Sequence, residues 1–188
     1  MNVIFSMLFL TVMLQARAPV FEIDLWPGEG VPRFEAVSKE LMLHELPLTS
    51  SRIVSTVAVL PGQNVDFDDT LYRTVEAGRI EVLQPSEIDG RVIGKVNRLT
   101  RSDYNSNKFK TFKRELQPKM IIEYIQDRAE GTCFLGIDGE VLDTLCPTDH
   151  DPKLHVLTEP KTEWWIHVVL GVSAGWIQVS DSTVRDVR

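Results

Sequence analysis

The sequence predicts an all-β fold, and three observations carry that prediction. Ten prolines and eleven glycines are scattered along 188 residues, many beside Ser, Asp or Asn, which cuts the chain into short segments rather than long helices. Between these breaks the apolar runs are rich in β-branched and aromatic residues, the side chains that suit a pleated surface. The clearest such text lies near the C-terminus, where Glu163–Leu170 and Trp176–Val179 flank the small residues Gly171–Gly175 and read as a β-hairpin. Composition agrees: 43% hydrophobic and 25% charged is that of a globular chain with a real core.

Taken in order, the chain opens on an apolar run, Val3–Leu14, too short to span a bilayer and of the length of a signal-peptide core. Ala16-Arg17-Ala18 supplies a small-x-small cleavage pattern, so residues 1–18 are expected to be a signal peptide and the protein secreted or periplasmic. The run lacks a preceding Lys or Arg, and Pro19 would be the first mature residue. The alternative is a buried N-terminal strand or helix. Residues 19–40 form a Pro/Gly-rich arm with little room for regular structure.

From Leu41 a short strand is followed by the Pro47–Ser51 loop, a β-branched strand from Ile53 to Leu60, and the tight turn Pro61-Gly62. Further strands are expected at Lys119–Ile125 and Thr132–Leu142, with a turn near Gly136–Gly139. In the C-terminal hairpin alternation puts Trp164, Ile166, Val168 and Leu170 on one face and Trp165, His167 and Val169 on the other. Trp164 and Trp165 therefore cannot both point inward, and one is expected to be partly exposed.

The opening strand, Pro47, Thr49, Ser50, Ser51, Arg52, the valine-rich strand and Gly62 follow the order that begins the bacterial SH3 (SH3b-like) domain family. Trp164 or Trp165, Gly171, Gly175, Trp176 and Ile177 follow the family's closing hairpin. The chain thus resembles that family at both ends, with Leu46 in place of its glycine and His44 in place of its arginine. The resemblance implies one or two small SH3-like β-barrels. About a hundred residues separate the matching ends, more than one barrel of roughly 60 residues needs. A tandem is preferred, with one barrel and its basic loop over 41–118 and a second over 119–188; the other arrangement is one barrel with a long insertion. The resemblance further implies a non-enzymatic module that binds a cell-envelope component such as peptidoglycan peptides, or a protein partner, through Trp164, Trp165, Trp176 and Tyr124. No cofactor is implied.

Charge narrows the partners. The chain carries a net charge of −7, which argues against a general nucleic-acid binder. One segment departs from this: Lys95 to Lys119 holds eight basic residues against two acidic ones, with Tyr104, Phe109 and Phe112 interleaved. Lys108, Lys110, Lys113 and Arg114 are its candidate contacts for an anionic partner, and the alternative is a solvated connecting loop. A membrane enters only through the leader, if uncleaved.

Other patterns carry less chemistry. Cys133 and Cys146 behind an export signal suggest one disulfide, against the alternative of two buried thiols. With His150 and His155 they offer zinc-type ligands but lack a Cys-x-x-Cys knuckle, so no metal is expected. Asp66, Asp68 and Asp69 lack the Gly and terminal Glu of a calcium loop. Gly171-Val172-Ser173-Ala174-Gly175 matches the nucleophile elbow of serine hydrolases, yet a strand follows where a helix is required, and every histidine precedes Ser173. A hairpin turn is the reading, and no enzyme is expected.

Overall fold

The structure, a computed structural model, describes residues 20–106, 108–128, 131–146 and 152–187. The leader 1–18 and the Asp149–Asp151 stretch with His150 lie outside the described residues.

The described chain is almost entirely β, as the sequence predicts. It begins with β1 (Phe21–Ile23), β2 (Phe34–Ala36), the β3 (Glu40–His44) and β4 (Ile53–Ala58) hairpin, β5 (Asn64–Val65) and the long β6 (Phe67–Glu76). Next come β7 (Gly78–Val82), β8 (Ser86–Gly94), β9 (Arg98–Leu99) and the one-turn helix α1 (Arg101–Asn105). After these follow β10 (Lys110–Leu116), β11 (Ile121–Asp127), β12 (Thr132–Ile137), β13 (Glu140–Leu145) and β14 (Leu154–Thr158). The chain closes with β15 (Lys161–Leu170), β16 (Ser173–Gln178) and β17 (Val184–Asp186).

These strands form two seven-stranded sheets and one of three. The first sheet runs β4-β3-β16-β15-β6-β1-β9, the second β10-β8-β13-β12-β11-β7-β14, and the small one β17-β2-β5. Every pairing in the two large sheets is antiparallel except β1 with β9. The first sheet is therefore built from both ends of the chain with the short β9 added at its edge, and all seven strands of the second come from residues 78–158 between them.

That pairing corrects the expected division into barrels over 41–118 and 119–188. The proposed boundary falls between β10 and β11, which belong to one sheet, while the opening hairpin meets the closing one where His44 pairs with Trp176. A single unit with a long insertion describes the connections. Long-range pairing decides it: β6 and β15 run together from Lys161 opposite Glu76 to Val168 opposite Phe67, and local periodicity does not reveal such a register. The N-terminal arm is corrected as well. Phe21 and Ile23 in β1 and Phe34 and Ala36 in β2 are buried, because alternation delivers their side chains to the core.

Three apolar clusters hold the sheets. One joins Leu41, Leu43, Ile166, Val168 and Ile177 of the first sheet to Phe34, Val65 and Val184 of the small one. A second draws Ile80, Ile122, Leu135, Leu142 and Leu154 from one face of the second sheet. The third lies between the large sheets, where Phe21 and Ile23 meet Ile93, Ile125, Phe134 and Val141. There Thr74 Oγ1 donates to the Ile125 carbonyl at 2.7 Å, joining β6 to β11. The chain passes from one sheet to the other at Gly78, where a Cβ would lie 2.3 Å from the Thr158 carbonyl oxygen. Entry and exit of the inserted sheet are thus side by side.

Candidate functional site

A cleft of about 850 Å³ opens at the border of the inter-sheet layer, lined by Asp89, Gly90, Arg91, Tyr104, Phe112, Arg128 and Asp143 with Glu29 of the arm. Sheet register builds its floor. Arg91 of β8 stands between Thr111 of β10 and Asp143 of β13, and Asp143 stands beside Phe134 of β12. Side chains directly opposite in neighbouring strands share a face, so this row presents a guanidinium, a carboxylate and an apolar anchor together. Gly90 makes the row possible: a Cβ there would fall 2.1 Å from the Asp143 carbonyl oxygen and 3.1 Å from the Phe112 ring.

Tyr104 comes from α1, whose start is set by Thr100. The Thr100 Oγ1 accepts from the Asp103 amide at 3.1 Å, and the Thr100 carbonyl accepts from the Tyr104 amide at 3.0 Å. The Tyr104 hydroxyl accepts from Arg91 Nη2 and Arg128 Nη1 and donates to Asp143 Oδ2 at 3.3 Å. Both guanidinium carbons also lie near the Tyr104 ring, at 4.8 Å for Arg91 and 4.2 Å for Arg128. Arg128 packs on Phe134 as well, at 5.1 Å.

Two cations thus share one buried anion. Asp143 is 4% exposed and pairs with Arg91 Nη2 and, at 3.6 Å, with Arg128 Nη1. Burial works against the charged Arg91, and the Asp143 carboxylate and Tyr104 outweigh it, so the Arg91 pKa lies above its ordinary value. Arg91 therefore keeps its charge, and two guanidiniums face the single carboxylate of Asp143. Each has five N–H donors, of which the bonds to Tyr104 and Asp143 use only those of a single terminal nitrogen. Glu29 and Asp89 supply carboxylates elsewhere on the wall. The cleft offers donors for an anionic group, acceptors for a cationic one, and aromatic surface between.

The sequence-predicted residues lie elsewhere. Trp165 is fully buried; its Nε1 donates to Glu163 Oε2 at 3.0 Å, the His44 ring packs edge-on at 5.7 Å, and Arg73 lies 5.6 Å from the ring. Trp164 faces the opposite side, half-buried against Phe34, with Nε1 donating to Thr70 Oγ1 at 2.8 Å. Alternation assigned the faces as expected, and Trp164 is the partly exposed one of the pair, although Phe34 packs against it. Trp176 is half-buried against His167. Tyr124 is a core residue, 5% exposed, donating to Asp127.

The basic segment is not a loop but β9, α1 and the edge strand β10. Of its four candidate contacts, Lys113 pairs with Glu87 at 2.7 Å and Arg114 with Asp138 at 2.8 Å, while Lys108 and Lys110 are exposed, as are Lys95, Arg101 and Lys119 of the same segment. The expected disulfide is corrected: Cys133 and Cys146 are free thiols 2.8 Å apart. Cys146 donates to Asp127 at 3.7 Å. Hydrogen bonding with Cys146, together with burial, pushes the Cys133 pKa well above the ordinary thiol range. Ser173 begins β16 after the two-residue turn Gly171-Val172, with Gly171 at φ 64°, and its hydroxyl lies 3.0 Å from that of Ser55. Asp68 pairs with His167 at 2.7 Å. Among the described residues no group of three or more His, Cys, Asp or Glu could hold a metal.

Sequence reasoning missed Arg91, Arg128 and Asp143 because they are isolated from one another, in β8, just after β11 and in β13. Tyr104 and Phe112 stand out in the sequence only for their basic neighbours. No family model matches the chain, and no curated protein or solved structure matches it significantly.

Proposed function

We propose that the protein is an exported, non-enzymatic binding module, SH3b-like in its end hairpins, that takes a peptide-like segment of a cell-envelope component or protein partner in the Arg91–Arg128 cleft. The observation that carries this reading is the pair of guanidiniums held on Tyr104 and only half neutralised by Asp143. Such a pair receives a carboxylate in a fixed geometry. Asp89 on the same wall favours a ligand that also bears an amine, and it disfavours polyanions such as nucleic acid. The tryptophans support the scaffold rather than the contact.

Sedimentation with purified peptidoglycan tests the reading, comparing the wild type with Arg91→Gln. Arg91 is the more exposed of the two arginines, so its loss leaves Arg128 to neutralise Asp143. The wild type is expected to pellet and the variant to pellet about tenfold less, the weight of one charge-assisted hydrogen bond. A wild type that stays in the supernatant sinks envelope binding; equal pelleting of both moves the contact away from this cleft. A second reading is favoured by Lys108 and Lys110, exposed at the β10 edge for an anionic partner. Loss of pelleting in the double variant Lys108→Ala, Lys110→Ala, with Arg91→Gln silent, would select it.

A further inference from the structure

The open edge of the first sheet carries a separate inference. β4 is the last strand on its side, and β3 is its only neighbour among the described strands. The Val59 amide donates to the Lys39 carbonyl at 2.9 Å, and Val57 and Ser55 stand opposite Leu41 and Leu43. In an antiparallel ladder hydrogen-bonded and non-bonded pairs alternate. Ser55, Val57 and Val59 therefore spend their backbone groups on β3, whereas the N–H and C=O groups of Thr56 and Ala58 point to the open side.

Strand edges are ordinarily blunted by charge, proline or a bulge. The outer strand of the second sheet follows that rule, with Lys110, Lys113 and Arg114 in β10. β4 reads Ile-Val-Ser-Thr-Val-Ala, with no charge and no proline, and its one irregularity is a register shift at its beginning. Its hairpin also exposes apolar surface: Met42 is 53% exposed, Ile53 47% and Leu60 74%.

We infer that β4 is a self-association edge, and that its occupant is a second copy of this chain, paired antiparallel about a two-fold axis at Thr56. Only a register with Thr56 and Ala58 in bonded positions uses the free backbone groups. A two-fold at Thr56 satisfies it, placing Thr56 opposite its own copy and Ala58 opposite Val54. Hydroxyl then meets hydroxyl and small apolar side chains meet one another, both favourable cross-strand pairs. Charge permits it too. The strand brings no like charges together in a chain of net charge −7, and the nearest cation, Arg52, is already paired with Glu45 at 3.0 Å. The contact is isologous and closes on itself, so it yields a dimer rather than a filament.

Sedimentation velocity of the full chain over a concentration series tests this, with Thr56→Lys and Val172→Lys as variants. Both positions are exposed, so neither change disturbs the core. The wild type and Val172→Lys are expected to dimerise alike. Thr56→Lys, which sets two ammonium groups face to face at the axis, is expected to raise the dimer dissociation constant about tenfold or more. A monomer at every concentration overturns the inference and leaves the edge to another segment, residues 1–19 among them; a dimer indifferent to Thr56→Lys overturns it equally.

Discussion

At the residue scale the cleft and the buried thiol depend on charge placed where water does not reach. Cys133 and Tyr124 share the end of one apolar cluster. Hydrogen bonding with Cys146 and burial hold the Cys133 thiol protonated, while burial and the hydrogen bond to Asp127 do the same for the Tyr124 hydroxyl. Unfolded, these groups ionise near about 8.5 and about 10 respectively. Above the first value the unfolded chain binds fewer protons than the folded one, so stability falls as pH rises, and it falls further once tyrosine ionises. The urea midpoint is expected to be level below about pH 8 and to drop progressively above it, with Cys133→Ala flattening the first part of the drop. A midpoint constant through the alkaline range would contradict this. Individual residues were the least legible part of the sequence. Nothing marks Asp143 as the one anion for two arginines, because its partners lie 52 and 15 positions away in the chain, a separation that only sheet register resolves.

At the scale of elements much more could be read. The closing hairpin is found where its β-branched and aromatic runs place it, with Leu170 opposite Ser173 across Gly171-Val172. The turn at Pro61-Gly62 is also present, with the Gln63 amide donating to the Leu60 carbonyl at 2.9 Å. The short strands in the arm escaped notice because three residues are too few to show a period. In β15, alternation separates the two tryptophans, but their exposure depends on what lies over each face. Trp165 is covered by His44 and Arg73, so Trp165→Ala removes a fully enclosed ring and is expected to cost about 3–5 kcal/mol. Trp164→Ala, at a half-buried ring, should cost less. Urea unfolding of the two variants checks the order, and equal losses would contradict the burial.

At the scale of the whole molecule the fold class was legible and the topology was not. Composition and turn spacing specify strands, but no local feature says that the strands between residues 78 and 158, the short β9 apart, form a sheet of their own inside another. Pairing creates it: Glu76 stands opposite Lys161, with the two side chains 2.7 Å apart, and Gly78 lies against Thr158. This nesting has a consequence for the order of events in folding. β6 and β15 are far apart along the chain, and closing so long a loop is an entropic cost met before their contacts can form. Once the intervening sheet has assembled, its two ends already stand together and the remaining closure is short. The inserted sheet is then expected to be the nucleus, with the outer sheet condensing on it. Leu135→Ala, within the inserted sheet's core, should chiefly slow refolding, whereas Ile166→Ala, in the outer sheet, should chiefly speed unfolding, as stopped-flow measurements on the two would reveal. The reverse pattern would mean that the chain ends meet first, and that the middle is threaded into a frame already built.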